Sequence, residues 1–292
     1  MGADPAVRVS VPLGWADVAG AVLMDLLGPF QQVDDPETDR SHLLFFPFRA
    51  GPGFVPDDDI VESLPSDPDL REALVIERVL VPGGWEEGWK DHFRPLTVGR
   101  LWVRPPWESP PPPGLLDVVL TPGLAFGTGL HPTTRGVLEL LQDTPAAGPV
   151  LDAGCGSGIL SICAGLLGYG PVRAFDNDPL AVEATRTNAG VNEVEVDVHS
   201  CDVASVPVAW LEGSTVLANM TLEPVRTLLQ TLRAHHLGGS GGVVRLLAAG
   251  ILVGEQEREV LELAGAAGLR PARLIHEGEW VSLDLRPATP LG

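Results

Sequence analysis

Lysine is almost missing from this chain: Lys90 stands alone among 292 residues, and every other cation is arginine. Positive charge is scarce altogether, with 19 Lys+Arg against 39 Asp+Glu and a formal net charge of -20. A duplex nucleic-acid binder needs cations to displace phosphate counterions, so direct nucleic-acid binding is not expected. The acidic balance suits solubility alone, or a basic partner drawn in by electrostatic steering. Cysteine is also sparse: Cys155, Cys163 and Cys201. An odd set of three builds no disulfide framework, and neither a C-x-x-C pair nor Cys/His ligand spacing marks a metal site. Free thiols in a reducing compartment are the expectation. No stretch approaches the ~18 apolar residues of a membrane span. The start, MGADPAVRVSVPLGWADVAG, lacks a charged segment followed by a long apolar run. A cytoplasmic protein with no membrane association is expected.

What the chain has is enough apolar material, 45%, to bury one core or two. The clearest break is RPPWESPPPPG at Arg104–Gly114. Proline lacks the amide donor and fixes its own φ, so this run continues neither helix nor central strand. It reads as an extended linker between an N-terminal α+β domain, 1–103, and a C-terminal domain, 115–292. In the first, VRVSVPL from Val7 alternates like a strand. Apolar residues at helical spacing fill Ala16–Leu27, His42–Phe48 reads as a strand, Asp67 opens a helix, and ALVIERVLV is a further strand. The acidic clusters Asp34–Asp39 and Asp57–Asp59 read as solvated loops. In the second, strands and helices alternate from PVLDAG to RPARLI, and the last two strands have no helix between them. That predicts an α/β fold: a mostly parallel, Rossmann-like sheet covered on both faces, with an antiparallel edge.

The decisive segment is VLDAGCGSG, Val150–Gly158, where a strand enters a glycine turn and a helix follows. Ligands bind at the carboxyl ends of strands in such sheets. A dinucleotide fingerprint, G-x-G-x-x-G/A, would place its third glycine at 159, which is Ile159. The spacing is instead D-x-G-x-G-x-G, built on Asp152, Gly154, Gly156 and Gly158. It resembles the first motif of class I methyltransferases, which implies that Gly154 and Gly156 approach S-adenosylmethionine and that Asp152 receives its ammonium directly or through water. Asp176, 22 residues beyond Gly154, ends the second strand of this domain, where a carboxylate accepts both hydroxyls of a ribose. Asp178, before Pro179, is the better helix cap of the two. Asp202, after the third strand, is placed like the acid that receives an adenine amino group, and equally like a solvated loop aspartate.

TPGLAFGTGLHPTT, Thr121–Thr134, is more specific still. Together with VLDAGCGSGIL it resembles the ribosomal protein L11 methyltransferase family, whose pattern is near D-P-G-x-A-F-G-T-G-x-H-P-T-T. WEEGWKDHF (Trp85–Phe93), VRPPW (Val103–Trp107), LANM (Leu217–Met220), AGIL (Ala249–Leu252) with Gln256, and GEW (Gly278–Trp280) match in order. The resemblance implies a seven-stranded class I methyltransferase domain behind a small ferredoxin-like, substrate-recognition domain. It also implies methylation of amino groups on ribosomal protein L11. It puts Thr134, Gly154, Asp176 and Asn219 on the family's cofactor-binding positions, and Phe126, Gly127 and Thr128 on the loop covering the cofactor. Thr121 replaces the family's aspartate before P-G, and Leu130 stands where a small polar residue is usual.

Methyl transfer from a sulfonium is an in-line displacement with a neutral leaving group, so alignment is the main task. Asn219, ending the fourth strand of this domain, is the candidate catalytic residue, its side-chain oxygen accepting a hydrogen bond from the incoming amine or the cofactor. Thr133 and Thr134 are also placed to cap the helix that follows them.

Overall fold

The computed structural model describes residues 3–27, 30–35, 38–45, 55–82, 95–121, 131–238 and 242–288. After Arg94 the chain passes from one compact unit to a second.

The first unit contains β1 (Ala3–Pro12), α1 (Ala16–Leu27), β2 (Phe30–Asp35), β3 (Arg40–Phe45), α2 (Asp57–Ser63), α3 (Pro68–Ala73) and β4 (Val75–Pro82). Its four strands pair antiparallel in the order β2-β3-β1-β4. With helices after β1 and β3, this is the ferredoxin-like split βαβ arrangement. The alternation in β1 explains the core. Val7 and Val9 sit opposite Phe45 and Leu43, so one face of the sheet is apolar. Leu23 of α1, Ile60 of α2 and Leu70 of α3 cover that face, all fully buried. Burying a side chain of this size contributes about 1.5–3 kcal/mol. Asp57–Asp59 form the first turn of α2, not a loop; acids there are favoured by the amide end of the helix. Asp67 caps α3, accepting from the backbone N–H groups of Asp69 and Leu70. The strand expected over His42–Phe48 is seen in β3 as far as Phe45, and 46–48 lie outside the described residues.

The second unit starts with a three-stranded sheet that the sequence pattern does not announce: β5 (Leu96–Val98), β6 (Leu101–Arg104) and β7 (Leu116–Val119). The expected boundary at 103 and linker at 104–114 therefore differ from the structure. β6 and β7 are parallel neighbours, Leu101 beside Leu116, and the proline run joins them inside one unit. Arg104 clamps the base of this loop, donating from Nε and Nη2 to both carboxylate oxygens of Asp117 at 2.8 Å each.

The main sheet has seven strands: β8 (Val150–Ala153), β9 (Val172–Asp176), β10 (Val196–Ser200), β11 (Thr215–Asn219), β12 (Arg245–Leu252), β13 (Leu269–Glu277) and β14 (Trp280–Pro287). The order is β10-β9-β8-β11-β12-β14-β13. All pairs from β10 to β12 are parallel, and β14 runs antiparallel to both of its neighbours. Around it lie α4 (Pro132–Leu141), α5 (Ile159–Leu167), α6 (Pro179–Val191), α7 (Val208–Leu211), α8 (Leu222–Ala234) and α9 (Glu255–Ala266). Successive strand residues point to opposite faces. Val150, Leu217 and Leu247 pack with α4 and α5 on one side; Leu151, Val216 and Leu246 pack with α8 and α9 on the other. Both faces are covered, which is why these strands read as mainly apolar runs without polar alternation. After β8 the chain turns to β9 on one side, while β11 flanks β8 on the other. The crevice at this reversal, outside the carboxyl ends of β8 and β11, is where such sheets take ligands.

Candidate cofactor and active site

The glycine loop leaves β8 at this crevice. Gly154, Gly156 and Gly158 hold φ of +71, +53 and +81°, and the N–H groups of Gly154 and Cys155 both donate to the Phe175 carbonyl at 2.9 and 3.0 Å. A Cβ on Gly154 would fall 2.7 Å from Met220 Sδ, so the loop backbone packs on that side chain. Asp152 lies beneath the loop, fully buried. Its Oδ2 accepts from the Ser161 N–H at 3.0 Å and the Ser161 hydroxyl at 2.6 Å, tying β8 to the first turns of α5. Among the described residues its Oδ1 has no hydrogen-bond partner. Burial pushes the carboxyl up to about 7, with the charge of Asp176 adding and the Ser161 bonds opposing. Burial likewise raises the thiols of Cys155 and Cys163.

Asp176 ends β9 with its carboxylate held from both sides. Gly156 N–H donates to Oδ2 at 3.0 Å and Asp178 N–H to Oδ1 at 2.9 Å. Each oxygen keeps a further lone pair, so a vicinal diol can be received without disturbing the loop. Asp178 caps α6 through Leu180 N–H, as expected. Asp202 is exposed and caps a short 3-10 turn, accepting from Ala204 N–H at 2.8 Å. It stands beside Asp176 because Cys201 N–H donates to the Asp176 carbonyl.

Asn219, the last residue of β11, donates from Nδ2 to Thr134 Oγ1 at 3.1 Å. Thr134 is fully buried in the first turn of α4. The capping role open to Thr133 and Thr134 falls instead to His131, whose Nδ1 lies 2.8 Å from Thr133 Oγ1 and accepts from Thr133 N–H. The Trp280 indole meets the His131 ring edge-on at 5.0 Å. Phe126, Gly127, Thr128, Leu130 and the Trp85–Phe93 motif lie outside the described residues.

Several of these parts escape a reading of the sequence. Thr185, whose hydroxyl donates to the Gly156 carbonyl at 3.0 Å, carries no motif, and Met220, although it closes the LANM match, stands out there for no role of its own. Gly250 does carry a signal, a glycine inside a strand, which marks a bulge or a close backbone approach. It holds φ +82°, and a Cβ there would meet the Met220 carbonyl oxygen at 2.2 Å. The register of β12 with β14 shifts across it, between Ala248 and Ile251.

A parallel sheet with an antiparallel last pair, a glycine loop at its reversal and a carboxylate closing the neighbouring strand define a class I S-adenosylmethionine-dependent methyltransferase. The residues fit that cofactor: the Asp176 oxygens for the ribose, the side-chain-free loop for close approach, and the orphan Asp152 Oδ1 beneath it. A family model described as ribosomal protein L11 methyltransferase (PrmA) matches residues 69–287. Two relatives carrying the same description, ribosomal protein L11 methyltransferase, align nearly end to end. The protein of Geobacter metallireducens is 35% identical, covering 95% of this chain and 96% of its own. That of Symbiobacterium thermophilum is 33% identical, covering 95% and 97%. A crystal structure of ribosomal protein L11 methylase from Lactobacillus delbrueckii subsp. bulgaricus superposes with a TM-score of 0.57 at 25% identity, covering 67% of this chain and 99% of that one. This chain belongs to the ribosomal protein L11 methyltransferase family.

Proposed function

We propose that this protein transfers methyl groups from S-adenosylmethionine to amino groups of ribosomal protein L11, on lysine side chains, the N-terminal amine or both. The observation that carries the reading is the union of Asn219 and Thr134 at the crevice that also holds the glycine loop and Asp176. In this reading Asp176 receives the ribose, Gly154 and Gly156 line the loop, and Asp152 Oδ1, beneath the loop, receives the ammonium through water. Asp202 stands toward the adenine, Thr134 and Asn219 reach the transfer centre, and Phe126, Gly127 and Thr128 belong to the covering segment.

The cofactor supplies an electrophilic methyl on a sulfonium. The chain supplies alignment. With Nδ2 engaged by Thr134, the Asn219 amide presents Oδ1 as an acceptor to an amine N–H and steers the nitrogen lone pair. A lysine ammonium must first lose a proton, and its ordinary pKa is ~10.4. A water-poor crevice lowers that value, and the proton leaves to solvent. The ferredoxin-like unit serves substrate recognition, and the acidic balance of the chain draws in a basic protein. Three free thiols and, among the described residues, no helix long and apolar enough to cross a membrane support a cytoplasmic place of work.

The test is transfer of labelled methyl to purified L11, with Asn219→Ala as control. Label on L11 that is lost in the control supports the reading. Cofactor binding without label on L11 would redirect the activity to another protein or a small amine, a change that Thr121 and Leu130, at the family motif, would explain.

A further inference from the structure

Helix α6 carries two carboxamides one turn apart, and together they act as a substitute β-strand. Asn192, its C-cap residue, accepts from Val119 N–H and donates to Val119 O, both at 2.7 Å. Asn188 accepts from Thr121 N–H at 3.1 Å. Thus the outer edge of β7, which ends its sheet, is read at alternate residues by side chains at i and i+4. The spacings match: four helical residues advance about 6 Å, and two strand residues about 6.6 Å. Asn188 has a second contact that Asn192 lacks. Its Nδ2 donates to the carbonyl of Ser157, inside the glycine loop, at 2.9 Å. One turn earlier, the Thr185 hydroxyl bonds the Gly156 carbonyl at 3.0 Å. Asn188 is only 2% exposed, so neither bond is shared with solvent.

We infer that Asn188 is a positioning residue that couples the cofactor loop to Thr121, two residues past β7, so that cofactor binding at Gly154–Gly158 is felt in the Thr121 backbone. The inference rests on the glycine loop being the cofactor site. Its physical ground is that one planar amide serves both partners: Nδ2 and Oδ1 are fixed relative to each other, so a shift of the Ser157 carbonyl turns the acceptor seen by Thr121 N–H. A buried carboxamide left with one end unpaired is costly, which keeps the two contacts together.

The experiment compares the wild type with Asn188→Asp and Asn188→Leu. It uses S-adenosylhomocysteine binding by calorimetry and exchange of the Thr121 amide by NMR, each with and without that ligand. In the wild type, ligand slows Thr121 exchange. Asn188→Asp keeps an acceptor for Thr121 but sets a second acceptor against the Ser157 carbonyl. Its Kd rises about tenfold, and Thr121 exchange becomes slow and indifferent to ligand. Asn188→Leu removes both bonds and leaves Thr121 exchange fast and indifferent to ligand. Wild-type Thr121 exchange that ignores bound ligand overturns the coupling, as does a wild-type Kd in Asn188→Asp. These readings stand even if Asn188→Leu fails to fold. A wild type that binds no S-adenosylhomocysteine at all defeats the cofactor-site reading beneath the inference, a distinct result.

Discussion

The side-chain amide of Asn219 and the hydroxyl of Thr134 meet at 3.1 Å across 85 residues of sequence, joining the end of β11 to the first turn of α4. In the proposed reading this bond decides which end of the amide faces the transfer centre. Asn219→Ala removes the acceptor, and kcat for L11 methylation is expected to fall about 100-fold. Thr134→Val keeps the volume but frees the amide to rotate, and a loss of about tenfold is expected. Because the threonine acts through the asparagine, the double variant should be no slower than Asn219→Ala alone. Steady-state kinetics on all four proteins check this; multiplicative losses would mean that the two residues work independently.

Asp176 ends β9 and Asp202 follows the end of the adjacent β10 by two residues, yet they are not equivalent. The Asp176 carboxylate is held by two backbone donors and has a free lone pair on each oxygen. Asp202 is exposed and spends one oxygen on a turn. Hydrogen bonds to a charged group are worth about 1.5–3 kcal/mol each. Asp176→Ala is therefore expected to weaken S-adenosylmethionine binding about 100-fold, and Asp202→Ala by no more than about threefold. Calorimetry on the two variants distinguishes them, and equal losses would count against the assignment of the ribose to Asp176.

The main sheet was legible because both of its faces are buried: VLDAG, VRAFD and TVLAN are mainly apolar runs entering turns, and their helices carry clear caps such as Asp178. The glycine loop and Asp176 were legible for the same reason, since each sits where a strand must end. The small sheet was not. Its strands are short, and the proline run that looked like a boundary is a loop whose ends are clamped by Arg104 and Asp117, a pairing of residues that local pattern does not reveal. Nor could spacing show that Asp152 lies under its loop instead of lining it, because burial of a motif aspartate is decided by Ser161 and by the helix packed over it.

That burial has a consequence for stability. An aspartate normally near 3.8 stands at about 7 in the folded protein. Below about pH 4 both folded and unfolded chains hold the proton, and the neutral carboxyl's contribution is fully present. As pH rises from there to about 7, the unfolded chain gives up its proton while the folded one keeps it, so stability is lost across that window and levels off above it. Asp152→Asn cannot titrate. Its unfolding free energy relative to wild type should climb by roughly 4 kcal/mol between pH 4 and pH 8, a difference in which other groups cancel. Urea unfolding at several pH values measures it; a flat difference would show Asp152 to be charged when folded.

Met220 is pressed from two sides by glycines, and the two contacts predict opposite responses to the same second change. A Cβ at Gly154 would strike the Met220 side chain, with Sδ at 2.7 Å and Cγ at 2.8 Å. A Cβ at Gly250 would strike Met220 backbone, with O at 2.2 Å and C at 2.7 Å. Both glycines have positive φ, which alone costs an alanine about 1–2 kcal/mol. A thioether can swing aside, whereas a carbonyl flanking Asn219 cannot move without shifting the end of β11. Gly250→Ala should therefore be the more destabilising of the two and should lower turnover by moving Asn219. Adding Met220→Ala should restore cofactor affinity to Gly154→Ala and leave Gly250→Ala unrepaired. Thermal unfolding together with S-adenosylmethionine affinity for the four variants tests the pair, and equal rescue of both alanines would be incompatible with a backbone clash at 250.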